Sequence, residues 1–146
     1  MNVLLDTHVW LWWLTGQPEL PERERTSLDV AAARQELCVA AISLWEAQML
    51  HAKHRIELPL PFAEWLRRAA APNVVRVLPL DAEVVIALNA LPTGFHGDPA
   101  DRLIVATARV HRLPLATHDE RIRSSRTVRA WRAPIRQRAP RVTARP

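Results

Sequence analysis

The chain has 146 residues, enough for one domain with a single packed core; at this size folding hides about 68–70% of the surface the unfolded chain exposes. Its formal charge of +5 is uneven: residues 132–146 carry five arginines and no acid, and the rest holds 15 basic and 15 acidic residues, so the excess says little about what the fold itself binds. No apolar run reaches the roughly 20 residues needed to span a bilayer, no basic region precedes the apolar start as in a secretory signal, and three glycines exclude Walker-type and dinucleotide-type phosphate loops. A soluble, cytoplasmic protein without membrane association is expected.

Val3 to Leu5 reads as a short buried strand closed by Asp6 and Thr7, and a strand at the start of the chain is expected at the centre of a sheet. Val9 to Leu14 reads as apolar helix. After a loop from Gly16 to Pro21, Glu22 to Gln35 has helix-forming composition. Leu37 to Ile42 is a second strand; it contains Cys38, the single cysteine, which is expected to be buried and reduced. Ser43 is expected to open a helix reaching about His54, and Pro59 and Pro61 separate it from another over Phe62 to Ala71. Val74 to Leu80 reads as a third strand, Asp81 to Leu91 as helix, and Pro92 to Gly97 as loop. A helix starting at Asp98 continues through Leu103 to Val110, and Leu113 to Thr117 is the last strand. Alternating strands and helices predict an α/β fold: a short, mainly parallel sheet with right-handed crossovers and helices on both faces, three layers in all.

Asp6, Glu46, Asp101 and Asp119 fall where apolar strand-like runs give way to turns or helix starts. In an open α/β sheet such positions converge on one crevice at the carboxyl ends of the strands. Two carboxylates about 5 Å apart repel by roughly 3 kcal/mol at an effective dielectric of 20. A hard divalent cation relieves that repulsion, and an all-oxygen donor set favours Mg²⁺ or Mn²⁺. Each acid also has a structural reading. Ser43 and Glu46 have the spacing of a capping box. Asp98 followed by Pro99 matches an N-cap, Asp101 sits in the first turn of that helix, and Asp119 can cap a short helix from Glu120. Asp6 is harder to explain this way: a carboxylate ending an apolar strand needs a partner to stay charged, and the sequence offers no neighbouring Lys or Arg. The two readings are compatible, since a capping carboxylate in a first turn can still face the crevice.

The segments Asn2–Trp12 (NVLLDTHVWLW), Ser43–Glu46 (SLWE), Asp98–Ala108 (DPADRLIVATA) and Thr117–Asp119 (THD) together resemble the PIN-domain nucleases, and more narrowly the VapC-type toxins of bacterial toxin–antitoxin pairs. The resemblance covers residues 1–131, expected to form one PIN-like domain. Residues 132–146 lie outside it and are expected to be a disordered basic tail, since Pro134, Pro140 and Pro146 with few apolar groups build no core. The resemblance implies Asp6, Glu46, Asp101 and Asp119 as catalytic metal ligands for Mg²⁺ or Mn²⁺, with Asp98 as a fifth contributor. It also implies RNA cleavage, a homodimer, and a VapB-like antitoxin whose tail occupies the acidic groove. The stretch Ala47–Arg55 departs from the lysine-rich, glycine-containing version frequent in the family, which bears on partner contacts more than on chemistry.

Thr7, Arg102 and Thr117 are candidate substrate-binding residues, set against simpler roles: threonines satisfying turn backbone, and Arg102 in a surface ion pair. His8, His96 and His118 neighbour the acidic motifs and are weighed as imidazole ligands or general acids. Trp10, Trp12, Trp13 and Trp45 are weighed as base-stacking platforms against core or dimer packing, which their apolar settings favour. Two other classes compete with a metal-dependent endoribonuclease. One is a non-catalytic RNA-binding module acting through its arginine-rich tail. The other is a phosphotransfer or nucleotide-binding domain, disfavoured because the phosphate loops are missing and Lys53 is the only lysine.

Overall fold

The computed structural model describes residues 1–95 and 97–135. β1 (Val3–Leu5) passes at Asp6 directly into α1 (Thr7–Thr15), because the Asp6 carboxylate accepts the Val9 N–H at 2.8 Å and caps the helix. Gly16 ends α1 in the left-handed conformation, φ 68°, donating its N–H to the Trp12 carbonyl. α2 (Glu22–Ala33) follows Pro21, β2 (Leu37–Ala40) follows Glu36, and α3 (Ala41–Ala52) begins with no intervening loop. The remaining elements are α4 (Phe62–Ala69), β3 (Arg76–Leu78), α5 (Ala82–Asn89), α6 (Pro99–His111), β4 (Leu115–Ala116) and α7 (Glu120–Ser125).

The sheet is parallel throughout, in the order β3-β2-β1-β4. β1 is an inner strand, as its position at the start of the chain predicts. From β1 the chain steps outward to β2 and β3, then α5 and α6 carry it back to the other side of β1, where β4 pairs. The order therefore reverses between β1 and β4, the point at which an open α/β sheet leaves a crevice beyond its carboxyl ends. Residues 129–131 extend the β4 edge: Leu115 N–H donates to the Arg129 carbonyl and Trp131 N–H to the Leu115 carbonyl, both at 2.8 Å.

Successive strand side chains point to opposite faces, and this alternation divides the core. Val3, Leu5, Leu37, Val39 and Ala116 pack with Val9, Trp10 and Leu11 of α1, Leu28 of α2, Ala47 and Leu50 of α3, and Trp65 of α4. Leu4, Cys38, Ala40, Leu78 and Leu115 pack on the other face with Ile104, Val105 and Ala108 of α6, Ile122 of α7 and Leu91. Helices thus cover both faces, giving the expected three layers. Cys38 is free and buried, and burial pushes its thiol pKa up. Among the described residues no helix is long and apolar enough to cross a membrane.

The structure corrects the start of α3. Helix begins at Ala41, so the second strand is two residues shorter than predicted and Ser43 lies inside the helix. The N-cap position belongs to Ala40, which makes no side-chain cap, and the capping-box reading of Ser43 and Glu46 fails for that reason. The last strand is also shorter than the run Leu113 to Thr117. Of the expected tail, Ala133 is buried and its carbonyl accepts from Arg23 at 2.9 Å; Arg136, Arg138, Arg141 and Arg145, and with them the expectation of disorder there, lie outside the described residues.

Candidate active site

Each acid reaches the crevice by a local device. Asp6 ends β1, its backbone N–H donates to the Ala116 carbonyl of β4, and its carboxylate caps α1. Asp98 caps α6 by accepting the Asp101 N–H at 3.1 Å, with Pro99 at the first helical position. Asp101 follows in that first turn. Asp119 caps α7, accepting the Arg121 N–H at 2.9 Å and the Ile122 N–H at 3.4 Å. Glu46 comes from the second turn of α3, which leaves β2 beside β1. These five carboxylates line one groove of about 300 Å³, together with His8, Trp12, His118 and Arg121. Asp6 and Glu46 are nearly inaccessible, at 7% and 8% exposure.

The electrostatics reflect the crowding. Asp101 is pushed up to about pKa 7, first by its burial and then by Asp98, Asp119, Glu46 and Asp6. Asp6 is raised by burial, against hydrogen bonds from Thr117 and the Val9 N–H and the nearby His8, with Glu46 adding to the rise. Asp119 behaves oppositely: partial burial works against its ionisation, but the Arg121 side chain, 3.3 Å from Oδ2, and the helix amides hold it below the usual range. Three helix N-termini, those of α1, α6 and α7, also turn their partial positive charge toward the groove. Among the described residues no group of three or more His, Cys, Asp or Glu side chains already stands in the spacing that holds a metal ion. The donor chemistry nonetheless fits a hard divalent cation: carboxylates from four elements, and one carboxyl raised by all the others.

The other predicted residues separate. Thr117, buried at 2% exposure, accepts the Asp119 N–H at 3.0 Å and hydrogen-bonds the Asp6 carboxylate, so it sets two acids in place from behind. Thr7 is also buried, and its hydroxyl donates to Ser43 at 2.9 Å, tying α1 to α3 away from the groove lining. Arg102 lies outside the lining as well, its guanidinium on the Phe95 carbonyl at 3.4 Å. His118 Nε2 is 2.7 Å from Glu24 of α2, whereas His8 is exposed at the groove wall. His96 lies outside the described residues. Of the tryptophans, Trp10 is fully buried against Trp65, Trp13 donates to Asp29, Trp12 sits between the rings of His8 and His118, and Trp45 is exposed.

Sequence reasoning missed Arg121. Residues two apart on a helix do not face each other, but Asp119 stands before the first turn of α7 and so meets the Arg121 side chain. A larger cavity of about 490 Å³ shares His8 and Trp12 with the groove and is lined by Leu11, Leu50, Arg55, Ile56 and Leu58. It contains none of the clustered acids, so size alone does not make it the reaction centre.

A parallel sheet reversing its order beside clustered carboxylates is an α/β domain of recognisable class. The PIN-domain family model matches residues 3–126, and the chain belongs to that family. Ribonuclease VapC22 of Mycobacterium tuberculosis (strain ATCC 25618 / H37Rv) is 42% identical over 125 residues, covering 86% of this chain and 92% of that protein. The same fold recurs in VapBC2 from Rickettsia felis bound to a DNA fragment from its promoter, at TM-score 0.67 and 15% identity over 90% of this chain and 98% of that one. It recurs again in FitAcB from Neisseria gonorrhoeae, at TM-score 0.66 and 22% identity over 90% and 97%.

Proposed function

We propose that this PIN-domain protein is a Mg²⁺- or Mn²⁺-dependent endoribonuclease, hydrolysing RNA phosphodiester bonds as the toxin of a type II, VapBC-like toxin–antitoxin pair. The observation that carries the reading is the gathering of Asp6, Glu46, Asp98, Asp101 and Asp119 in one groove, with Asp101 raised first by its burial and then by the other four. The likeness to Ribonuclease VapC22 over most of both chains supports the substrate class. Asp6, Glu46 and Asp101 are the proposed main ligand set, with Asp119 and Asp98 completing it or positioning water. An ion held by these carboxylates would supply polarisation of the phosphate, a lowered pKa for bound water and charge stabilisation for the departing oxygen.

The chain's own groups do the rest. Thr117 holds the Asp6 carboxylate and the Asp119 backbone, while the Asp119 carboxylate is fixed by Arg121 and the α7 amides, so that neither acid swings away as charge enters the groove. Arg121, exposed and anchored on Asp119, places a guanidinium where negative charge grows on the phosphate. Without a cation the groove repels RNA, which makes binding of the scissile phosphate depend on the ion. A homodimer and a VapB-like antitoxin covering the groove are proposed with this reading, on the family resemblance, in a cytoplasm that keeps Cys38 reduced.

The test incubates purified chain with single-stranded RNA, with Mg²⁺, with Mn²⁺ and with chelator, beside Asp6→Asn and Asp101→Asn. Cleavage by the native chain alone, only with metal, is expected. Equal cleavage in chelator, or by folded variants, would overturn the mechanism. A small reading frame immediately upstream is the expected genomic sign of the antitoxin.

A further inference from the structure

Beside the acidic groove lies a second pocket, of about 280 Å³ and opposite character. Arg23 from α2, Arg123 from α7 and Arg132 line it, and it shares His118 with the acidic groove. Two of the guanidiniums are held by backbone: Arg123 Nε donates to the Thr117 carbonyl at 2.8 Å, and Arg23 Nη2 to the Ala133 carbonyl at 2.9 Å. Glu24, the carboxylate of this lining, has Oε2 on His118 at 2.7 Å. A net positive pocket therefore abuts a strongly negative groove.

That division suits a polyanion crossing both. A cation in the groove serves the phosphate being cut, but the neighbouring phosphate carries the same charge, faces the same carboxylates and needs a counter-charge of its own. Guanidinium forks match phosphate oxygens in geometry and stay charged at every working pH. We infer that Arg23, Arg123 and Arg132 form a phosphate subsite for the RNA strand as it runs past His118 out of the acidic groove. The identity of the polyanion rests on the ribonuclease reading; the positive pocket itself does not.

The test measures binding without chemistry. Full-length Asp101→Asn protein, expected not to cleave, is titrated with a labelled single-stranded RNA at one fixed Mg²⁺ concentration, and affinity is followed by fluorescence anisotropy across monovalent salt concentrations. Each phosphate contact removed should make the log–log salt slope shallower by about 0.7, so adding Arg23→Ala and Arg132→Ala should reduce it by about 1.4. Arg34→Ala, at the opposite, amino-terminal end of β2, should leave the slope unchanged. Arg123 is spared because its Nε supports the Thr117 turn. An unchanged slope in the double variant, or an equal fall in Arg34→Ala, overturns the subsite. So does a parent chain that binds polyglutamate but not RNA, an outcome that assigns the pocket to an acidic protein partner. Cleavage by the native chain with Mg²⁺, measured in parallel, keeps the two readings apart. Intact cleavage with an unchanged slope removes the subsite alone, and absent cleavage with the reduced slope removes the nuclease reading alone.

Discussion

Thr117 is shut away from solvent yet holds one carboxylate of the groove and the backbone of another acid. One hydroxyl has a donor and two acceptor lone pairs, enough to serve the Asp6 carboxylate and receive the Asp119 N–H together. Thr117→Val keeps the shape and removes both bonds. If the acids are the metal ligands proposed, RNA cleavage by that variant is expected to fall about 10–100-fold, the usual cost of losing a group that orients such ligands, and Thr117→Ser should restore it. An unchanged cleavage rate in a folded Val variant would refute the positioning role. Asp101 makes a prediction about pH. In the folded chain its carboxyl keeps a proton up to about pH 7, whereas in the unfolded chain it ionises near its ordinary value of 3.8. Across that window the folded state binds more protons, so this group's contribution to stability declines as pH rises from about 4 to above 7. Asp6 shifts the same way, and Asp119 the opposite way at lower pH. In chelator the Tm should drop between pH 6 and 8, the drop should shrink in Asp101→Asn, and Mg²⁺ should reduce it by replacing protons with a cation. A flat or rising Tm across that range would count against carboxylate crowding.

At the scale of elements, the groove is built from helix starts. Asp6, Asp98 and Asp119 cap α1, α6 and α7, and the same side chains line the groove. Capping and groove-lining, which the sequence already allows to coincide, are one arrangement here, because an N-cap oxygen facing its own amides leaves the carboxylate at the mouth of the helix. Asp98 allows the two roles to be separated. Asp98→Ala removes cap and charge and should cost about 1 kcal/mol of stability, visible in a chemical melt; Asp98→Asn keeps an oxygen for the Asp101 N–H and should cost far less, while both remove one negative charge from the groove. Equal destabilisation by the two variants would show that the cap is not what Asp98 contributes. The spacing of Ser43 and Glu46 misled for a reason visible in the structure: β2 turns straight into α3 at Ala41, which places Ser43 inside the first turn as the third helical residue, against Thr7, and Glu46 on the groove side.

At the scale of the whole molecule, exposed apolar side chains remain on the helices: Trp45 of α3 at 54% exposure and Ile86 of α5 at 60%. Neither packs in the core, and with Val85 of α5 at 50% exposure they are apolar side chains that a homodimer, proposed on the family resemblance, could cover. Combining Trp45→Ser with Ile86→Glu is expected to move the protein from dimer to monomer in light scattering behind a sizing column, with secondary structure intact; a dimer that survives both changes uses another face.

Strand and helix order, the buried central strand and the positions of the groove acids are legible in the chain because apolar period and capping chemistry are local: Val3–Leu5 before Asp6, and Asp98 before Pro99, announce themselves within a few residues. Element ends were read less well. Ala40 and Ile42 carry no local signal for where strand yields to helix, and packing on β1 and α1 decides it. Tertiary structure alone determines which neighbours the acids acquire, since the reversal of strand order between β1 and β4 brings Asp6 to Thr117 and Asp119 across more than a hundred residues. It alone also pairs Arg121 with Asp119, sends Thr7 to Ser43, and gathers Arg23, Arg123 and Arg132, because contact between distant segments depends on how the sheet is wound and not on the composition of any one of them.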